Sequence, residues 1–226
     1  AGTEPGYFYT RIANPTLALL ESRLTSLEQG AGAVVFGSGM GAITATLWSL
    51  LEQGDEVLAD MTLYGCTFAF MNHGLTRFGV TVRHVDMTDP EQVAQAMGPK
   101  TKVVYCETPA NPNMRLVDIA AVADIAHKGG ARLIVDNVFA SPVLQKPFRF
   151  GADLVVYSTT KHIDGQGRTL GGAILGKKEL IDREGGISDF LRHTGPAISP
   201  FNAWILAKSM ETVELRVTRM CENAAK

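Results

Sequence analysis

One lysine follows a run of hydroxyls in the stretch Asp153-Leu-Val-Val-Tyr157-Ser158-Thr159-Thr160-Lys161-His162. Hydroxyls donate to phosphate oxygens, and a desolvated lysine amine forms a Schiff base with a carbonyl. A strand that ends this way suits a ligand carrying both groups. The plainer alternative is a strand, a polar turn and a solvated lysine. Two other stretches weigh against that alternative. Asp136 follows Leu133-Ile134-Val135, where a carboxylate is costly to bury without a cation. Gly37-Ser38-Gly39-Met40-Gly41 reads as a glycine turn opening a helix, a place where backbone N–H groups and the helix dipole face an anion. Ser38, Ser158 and Thr160 can add hydroxyl donors to that anion.

These groups meet only if the elements behind them end at one edge. Ala33–Phe36 reads as a short buried strand, followed by strands at Glu56–Ala59, Val80–Val85, Thr101–Cys106, Arg132–Val135 and Leu154–Tyr157. Between them, helical patterns run over Ala42–Leu51, Cys66–Arg77, Pro90–Met97 and Val117–His127. Asn14-Pro15 is a helix start, with Leu17, Leu20, Leu24 and Leu27 on one face. The βαβα alternation of apolar strands predicts an α/β fold, a largely parallel sheet sandwiched by helices. Ligands of such sheets sit beyond the carboxyl ends of the strands. Those ends present Gly37–Gly39, Asp60–Gly65, Glu107–Asn111, Asp136-Asn137 and Ser158–Lys161, which can converge on one crevice.

One ligand that fits carries a phosphate, a cationic ring nitrogen and an aldehyde: pyridoxal 5′-phosphate. Asp136 would pair with the ring nitrogen and Lys161 would form the Schiff base. At about 4 Å and an effective dielectric near 20 the pair is worth roughly 4 kcal/mol, about three pK units. That keeps the nitrogen protonated. Tyr64, at a strand end, can stack on the ring or stand as an ordinary loop tyrosine. A nicotinamide dinucleotide competes, because Gly37-x-Gly39-x-x-Ala42 follows a strand and Asp60 ends the next one. It leaves Asp136, Lys161 and the hydroxyls unused. A scaffold on this fold that holds no cofactor is a third reading.

Composition narrows the class. With 226 residues the chain is long enough to bury a sizeable core, and a net charge of -2 offers no basic stripe for nucleic acid. No apolar run is long enough to cross a bilayer, and nothing resembles a secretory signal. Cys66, Cys106 and Cys221 form no CxxC pair, which suits a reducing, cytoplasmic setting. The five histidines show no metal-ligand spacing, so no metal is expected.

The residues also resemble a known family, from Tyr9 to the end of the chain. Tyr9-Thr-Arg11-Ile-Ala-Asn14-Pro15-Thr16, Ser38-Gly39-Met40, Leu63-Tyr64-Gly65, Glu107-Thr-Pro-Ala-Asn111-Pro112, Val135-Asp136-Asn137 and Ser158-Thr-Thr160-Lys161 carry the resemblance. It is to the pyridoxal-phosphate enzymes of cysteine and methionine metabolism: cystathionine γ-synthase, the cystathionine lyases, methionine γ-lyase and the homoserine sulfhydrylases. The resemblance implies the large domain of the type I transferase fold and chemistry at Cγ, by replacement or elimination. It makes Lys161 the Schiff-base and proton-transfer residue, with Tyr64 stacked on the ring and assisting at the leaving group. Asp136 pairs with the ring nitrogen. Ser38, Gly39, Met40, Ser158 and Thr160 hold the phosphate, and Asn111 reaches the ring hydroxyl. Tyr9 and Arg11 match residues that complete a neighbouring subunit's phosphate site, which implies a homo-oligomer, a dimer or tetramer.

Two segments point to different members. Leu63–Phe70, with Cys66 after Tyr64-Gly65 as a substrate-side candidate, and Glu107–Met114 resemble methionine γ-lyase. Cys66 as simple loop filling is the alternative. His162–Arg168, Gly171-Gly172, Phe190–Pro196 and Ser199–Trp204 resemble O-succinylhomoserine sulfhydrylase. Where the lyases carry a Lys-Asp pair tied to that cysteine's network, Leu191 and Arg192 stand here. The sulfhydrylase is therefore the expected activity. By organisation, residues 1–14 read as an arm and residues 15–199 as the cofactor-binding domain. Residues 200–226 read as one long helix, with Leu206, Met210, Val213, Val217 and Met220 on its apolar stripe. That helix would lead to a smaller C-terminal domain not in this chain, where the resemblance puts the arginine for the substrate carboxylate. The chain then reads as a fragment or the ordered part of a longer protein.

Overall fold

The computed structural model describes residues 6–182 and 184–226. Residues 1–5 of the expected arm lie outside the described part. Seven strands form one sheet: β1 Gly32–Phe36, β2 Glu56–Asp60, β3 Thr81–Val85, β4 Thr101–Glu107, β5 Arg132–Asp136, β6 Leu154–Tyr157 and β7 Gly172–Gly176. The helices are α1 Pro15–Glu28, α2 Gly39–Leu50, α3 Gly65–His73, α4 Pro90–Ala96, α5 Ile119–Lys128, α6 Ser141–Leu144, α7 Lys178–Ile181, α8 Ile187–Thr194, α9 Pro200–Ser209 and α10 Val213–Ala224.

The strand order is β1-β7-β6-β5-β4-β2-β3. Only β7 is reversed: it pairs antiparallel with β1 and β6, while the other pairings are parallel. Six strands therefore deliver their carboxyl ends to one edge. Helices cover both faces, as the apolar strands require. On one face Leu17, Leu20 and Leu24 of α1 pack with Val122 of α5 and Leu206 of α9. On the other, Ile43 and Leu47 of α2 pack with Met71 of α3 and Leu191 of α8. The α/β sandwich expected from the sequence is present.

Several local differences have identifiable causes. Strand β7 has no counterpart in the sequence reading. It is glycine-bounded and returns beside β6 after a single loop, so βα alternation does not reveal it. Gly172 is obligatory there, because a Cβ would lie 2.1 Å from the Ser38 carbonyl oxygen. Helix α2 begins at Gly39 rather than Ala42, since the Ser38 hydroxyl caps it by accepting from Gly41 N at 3.0 Å. The helix expected over Cys66–Arg77 stops at His73, and Leu75–Phe78 continues as a 3-10 turn after Gly74.

The expected single helix over residues 200–226 is also broken, by a 3-10 turn at Met210–Thr212. There Val213 N–H bonds Met210 O, and the Ser209 carbonyl accepts from Arg216 Nη2 at 2.9 Å. Leu206, Val213 and Val217 of the stripe are buried, whereas Met220 is exposed. No helix among the described residues is long and apolar enough to cross a membrane.

Helix α1 starts as expected, with Asn14 Oδ1 accepting from Thr16 N and Leu17 N, each at 3.0 Å. Its last turn differs: Glu28, not Leu27, is the buried residue. Tyr157 Oη donates to Glu28 Oε2 at 2.5 Å, and Asn137 Nδ2 donates to Tyr157 Oη at 2.6 Å. Burial lifts the Glu28 carboxyl from its ordinary 4.5 to about 7, against the bond from Tyr157 and the charge of Lys146. Because the folded value lies above the unfolded one, the stabilisation is complete below 4.5 and is lost as pH rises through about 7. Glu28→Gln keeps an acceptor for Tyr157 and cannot ionise. Its stability relative to the parent should rise between about pH 5 and about pH 8. Urea midpoints at the two pH values measure this, and an unchanged gap would remove the linkage.

Candidate active site

At the common strand edge lies one cavity of about 500 Å³. Ser38, Gly39 and Met40 from the start of α2 line it, as do Tyr64 before α3 and Asn111 after β4. So do Asp136 at the end of β5, and Ser158, Thr160 and Lys161 after β6. All nine come from strand ends or helix starts, so the parallel sheet itself brings them together.

Two parts of the cavity lining differ electrically. At one, the twelve-residue helix α2 presents its N-terminus beside the hydroxyls of Ser158 and Thr160. Gly39 permits that approach, because a Cβ there would sit 2.8 Å from Ser158 Cβ. Thr160 is fixed by Gly171, donating to its carbonyl at 3.2 Å and accepting from its N–H at 3.0 Å. At the other, Asp136 is 5% exposed. Its Oδ2 accepts from Tyr105 Oη and its Oδ1 from Val138 N, both at 3.2 Å. Burial, and then the charge of Glu107, push the Asp136 carboxyl up to about 7. No ion pair reaches Asp136 among the described residues. An anion cradle and a buried acid without a cationic partner fit a ligand with a phosphate and a cationic ring, and Lys161, which is exposed rather than desolvated, lines the same cavity. Pyridoxal 5′-phosphate fits this donor set.

Tyr64 is 44% exposed and its phenol accepts from Cys66 Sγ at 3.4 Å. Chiefly the hydrogen bond with Cys66 holds the phenol above its ordinary pKa. Cys66 is exposed and does not itself line the cavity. Tyr9 and Arg11 are also away from this cavity. Arg11 Nε donates to Tyr9 Oη at 3.1 Å, its guanidinium lies 4.8 Å from the Tyr9 ring, and Nη1 donates to Arg192 O at 2.7 Å.

The sequence reading gave no role to Glu107, Phe139 or His162, which also line the cavity. Glu107 carried a legible signal, an acid closing an apolar strand just as Asp136 does. His162 and Phe139 carried none, because only the turns after β5 and β6 aim them inward. Burial, then Arg216, lower the His162 imidazole pKa. Asp60, which a dinucleotide would need at its ribose, is fully buried away from the cavity. Its Oδ1 accepts from Met61 N at 2.9 Å and Met87 N at 3.1 Å. No cluster of metal-ligating side chains exists among the described residues.

Comparison with known proteins agrees with this chemistry. The family model described as Cys/Met metabolism PLP-dependent enzyme matches residues 1–226. An L-methionine gamma-lyase of Pseudomonas putida is 52% identical over 226 residues, covering 99% of this chain and 56% of that protein. An O-succinylhomoserine sulfhydrylase of Mycobacterium tuberculosis is 48% identical over 217 residues, covering 96% of this chain and 53% of that protein. The chain thus spans little more than half the length of these relatives. The crystal structure of cystathionine gamma-lyase from Lactobacillus plantarum complexed with L-serine superposes with a TM-score of 0.90 at 35% identity, covering 95% of this chain and 56% of that one. The type I transferase fold expected from the sequence is the fold of such neighbours. With its whole length matched by the family model and a cavity of the right chemistry, the chain belongs to the pyridoxal-phosphate-dependent enzymes of cysteine and methionine metabolism.

Proposed function

We propose that this chain is the cofactor-binding part of an O-succinylhomoserine sulfhydrylase, which replaces the γ-substituent of an activated homoserine with sulfur. One observation carries the reading: Lys161, Asp136 and Tyr64 share a cavity that the α2 N-terminus also lines. When bound, pyridoxal phosphate supplies an aldehyde for covalent linkage and a ring that takes up electrons from the reacting carbon. Ser38, Gly39, Met40, Ser158 and Thr160 hold its phosphate, Asp136 its ring nitrogen, Asn111 its ring hydroxyl and Lys161 Nζ its aldehyde. Freed by the substrate's own amine, Lys161 Nζ takes the Cα proton and then moves protons at Cβ while the γ-substituent leaves. Tyr64 stacks on the ring. Its phenol, protonated near neutral pH, can hand a proton to the departing group.

The choice of member rests on the α8 segment. Leu191 and Arg192 stand where the lyases resembled by Leu63–Phe70 carry a Lys-Asp pair, which leaves Cys66 bonded to Tyr64 alone among the described side chains. The second reading, γ-elimination from methionine, draws support from that same Cys66–Tyr64 contact and from relatives named methionine gamma-lyase. Tyr9 and Arg11 act, in this proposal, in the cavity of a neighbouring subunit of a dimer or tetramer. Free cysteines throughout the described residues suit a cytoplasmic enzyme.

The deciding assay feeds O-succinylhomoserine with sulfide, and separately methionine, to the native polypeptide carrying this chain. Homocysteine from the first is the expected result. Methanethiol and 2-oxobutanoate from the second, without the first, would replace the sulfhydrylase reading by the lyase. Lys161→Ala should lower turnover at least about a thousandfold and abolish the pyridoxyl mass that borohydride fixes on the parent. Normal turnover by that variant would sink the assignment. Mixed oligomers of Arg11→Ala and Lys161→Ala subunits should regain activity that neither homo-oligomer has, since one site in each mixed dimer keeps both residues. No recovery would place Arg11 outside a shared site.

A further inference from the structure

We propose that Glu107 is a positioning residue whose carboxylate sets the separation between Tyr64 and Asn111 across the cofactor site. Its Oε2 accepts from Tyr64 N at 2.7 Å and its Oε1 from Asn111 N at 3.0 Å. Each oxygen therefore takes one backbone donor, and the two donors belong to different loops that each send a side chain into the cavity. Tyr64 precedes α3, whose first turn has no side-chain cap, so an acid at its N–H also sits favourably at that helix N-terminus. The inference rests on the proposed contacts of Tyr64 and Asn111 with the cofactor.

Its surroundings argue against an ordinary structural cap. Glu107 is 3% exposed and is the direct cross-strand partner of Asp136 in the β4–β5 register. Like charges opposite one another in a sheet repel, and Asp60 adds a further negative group. Burial and Asp60 raise the Glu107 pKa, while the two N–H donors lower it. A neutral cap would avoid that repulsion. A glutamine, however, has one acceptor oxygen and would turn its NH2 toward the second N–H donor. Only a carboxylate satisfies both amides at once. Its charge also adds to that of Asp136 in the field a cationic ring would meet.

The test compares Glu107→Gln and Glu107→Asp with the parent, by amide chemical shifts of the cofactor-free protein and by titration with pyridoxal 5′-phosphate. In Glu107→Gln the amide proton of Tyr64 or Asn111 should move upfield as its charge-assisted bond is lost. The dissociation constant should rise about tenfold or more, and the visible dichroism of the bound cofactor should change. Glu107→Asp keeps the charge but withdraws it by one methylene, and should fall between the other two. Parent-like amide shifts, affinity and dichroism in a folded Glu107→Gln would overturn the proposal. Should that variant not fold, parent-like values in Glu107→Asp overturn it equally. A parent that binds no pyridoxal phosphate refutes the cofactor contacts instead, while the amide shifts still judge the bracket itself.

Discussion

Asp136 is a carboxylate at the end of an apolar strand, nearly out of reach of water, with Tyr105 and one backbone N–H as its hydrogen-bond donors. Keeping such a group ionised out of water costs several kcal/mol unless a cation compensates. Its carboxyl is pushed up to about 7 for that reason, since no ion pair reaches it among the described residues. Glu107 on the adjoining strand makes the deficit larger. The consequence is a site in which a cationic group beside Asp136 would favour its ionised form. The rest of the cavity can be understood as the geometry that decides which cation that is.

The sheet supplies that geometry. Because six strands run the same way, acids, amides and hydroxyls from distant parts of the sequence arrive at one edge without any long loop reaching across. The reversed strand β7 has a different task. It packs Gly172 against the Ser38 carbonyl, and it follows directly on Gly171, which pins Thr160. The cradle at the α2 N-terminus is thus fixed from below by close glycine contacts. The wall opposite is held by Glu107 through the backbones of Tyr64 and Asn111.

A second polar network lies deeper and joins α1 to the same edge. Glu28, Tyr157 and Asn137 form a chain of short hydrogen bonds, and Gln145 Nε2 continues it to Asn137 Oδ1 at 2.8 Å and to the Thr108 carbonyl at 2.9 Å. Asn137 and Thr108 directly follow Asp136 and Glu107 in the chain. The two acids of the site therefore stand on backbone that is cross-linked below them, which restricts how far either strand end can shift.

The amino-acid sequence by itself determined the class of fold, the strand-end residues and the chemistry they suit. Each of these is written locally: apolar runs closed by Asp136 or by Ser158–Lys161, a glycine turn at Ser38-Gly39, a proline and asparagine at the start of α1. Tertiary structure decided what local pattern cannot encode. Strand β7 was invisible because a short glycine-bounded run becomes a strand only when β1 and β6 flank it. The helix after Pro200 breaks where Arg216, a residue beyond the break, takes the Ser209 carbonyl. Glu28 displaces Leu27 from the core because Tyr157, far along the chain, offers it a hydrogen bond. Glu107 became a bracket only once the loop at Tyr64, 43 residues earlier in the chain, had been folded against the carboxylate that Asn111 already reaches from four residues on. Apart from Arg216, seven residues from Ser209, the deciding partner is remote along the chain, and proximity in space is a property of the folded molecule alone.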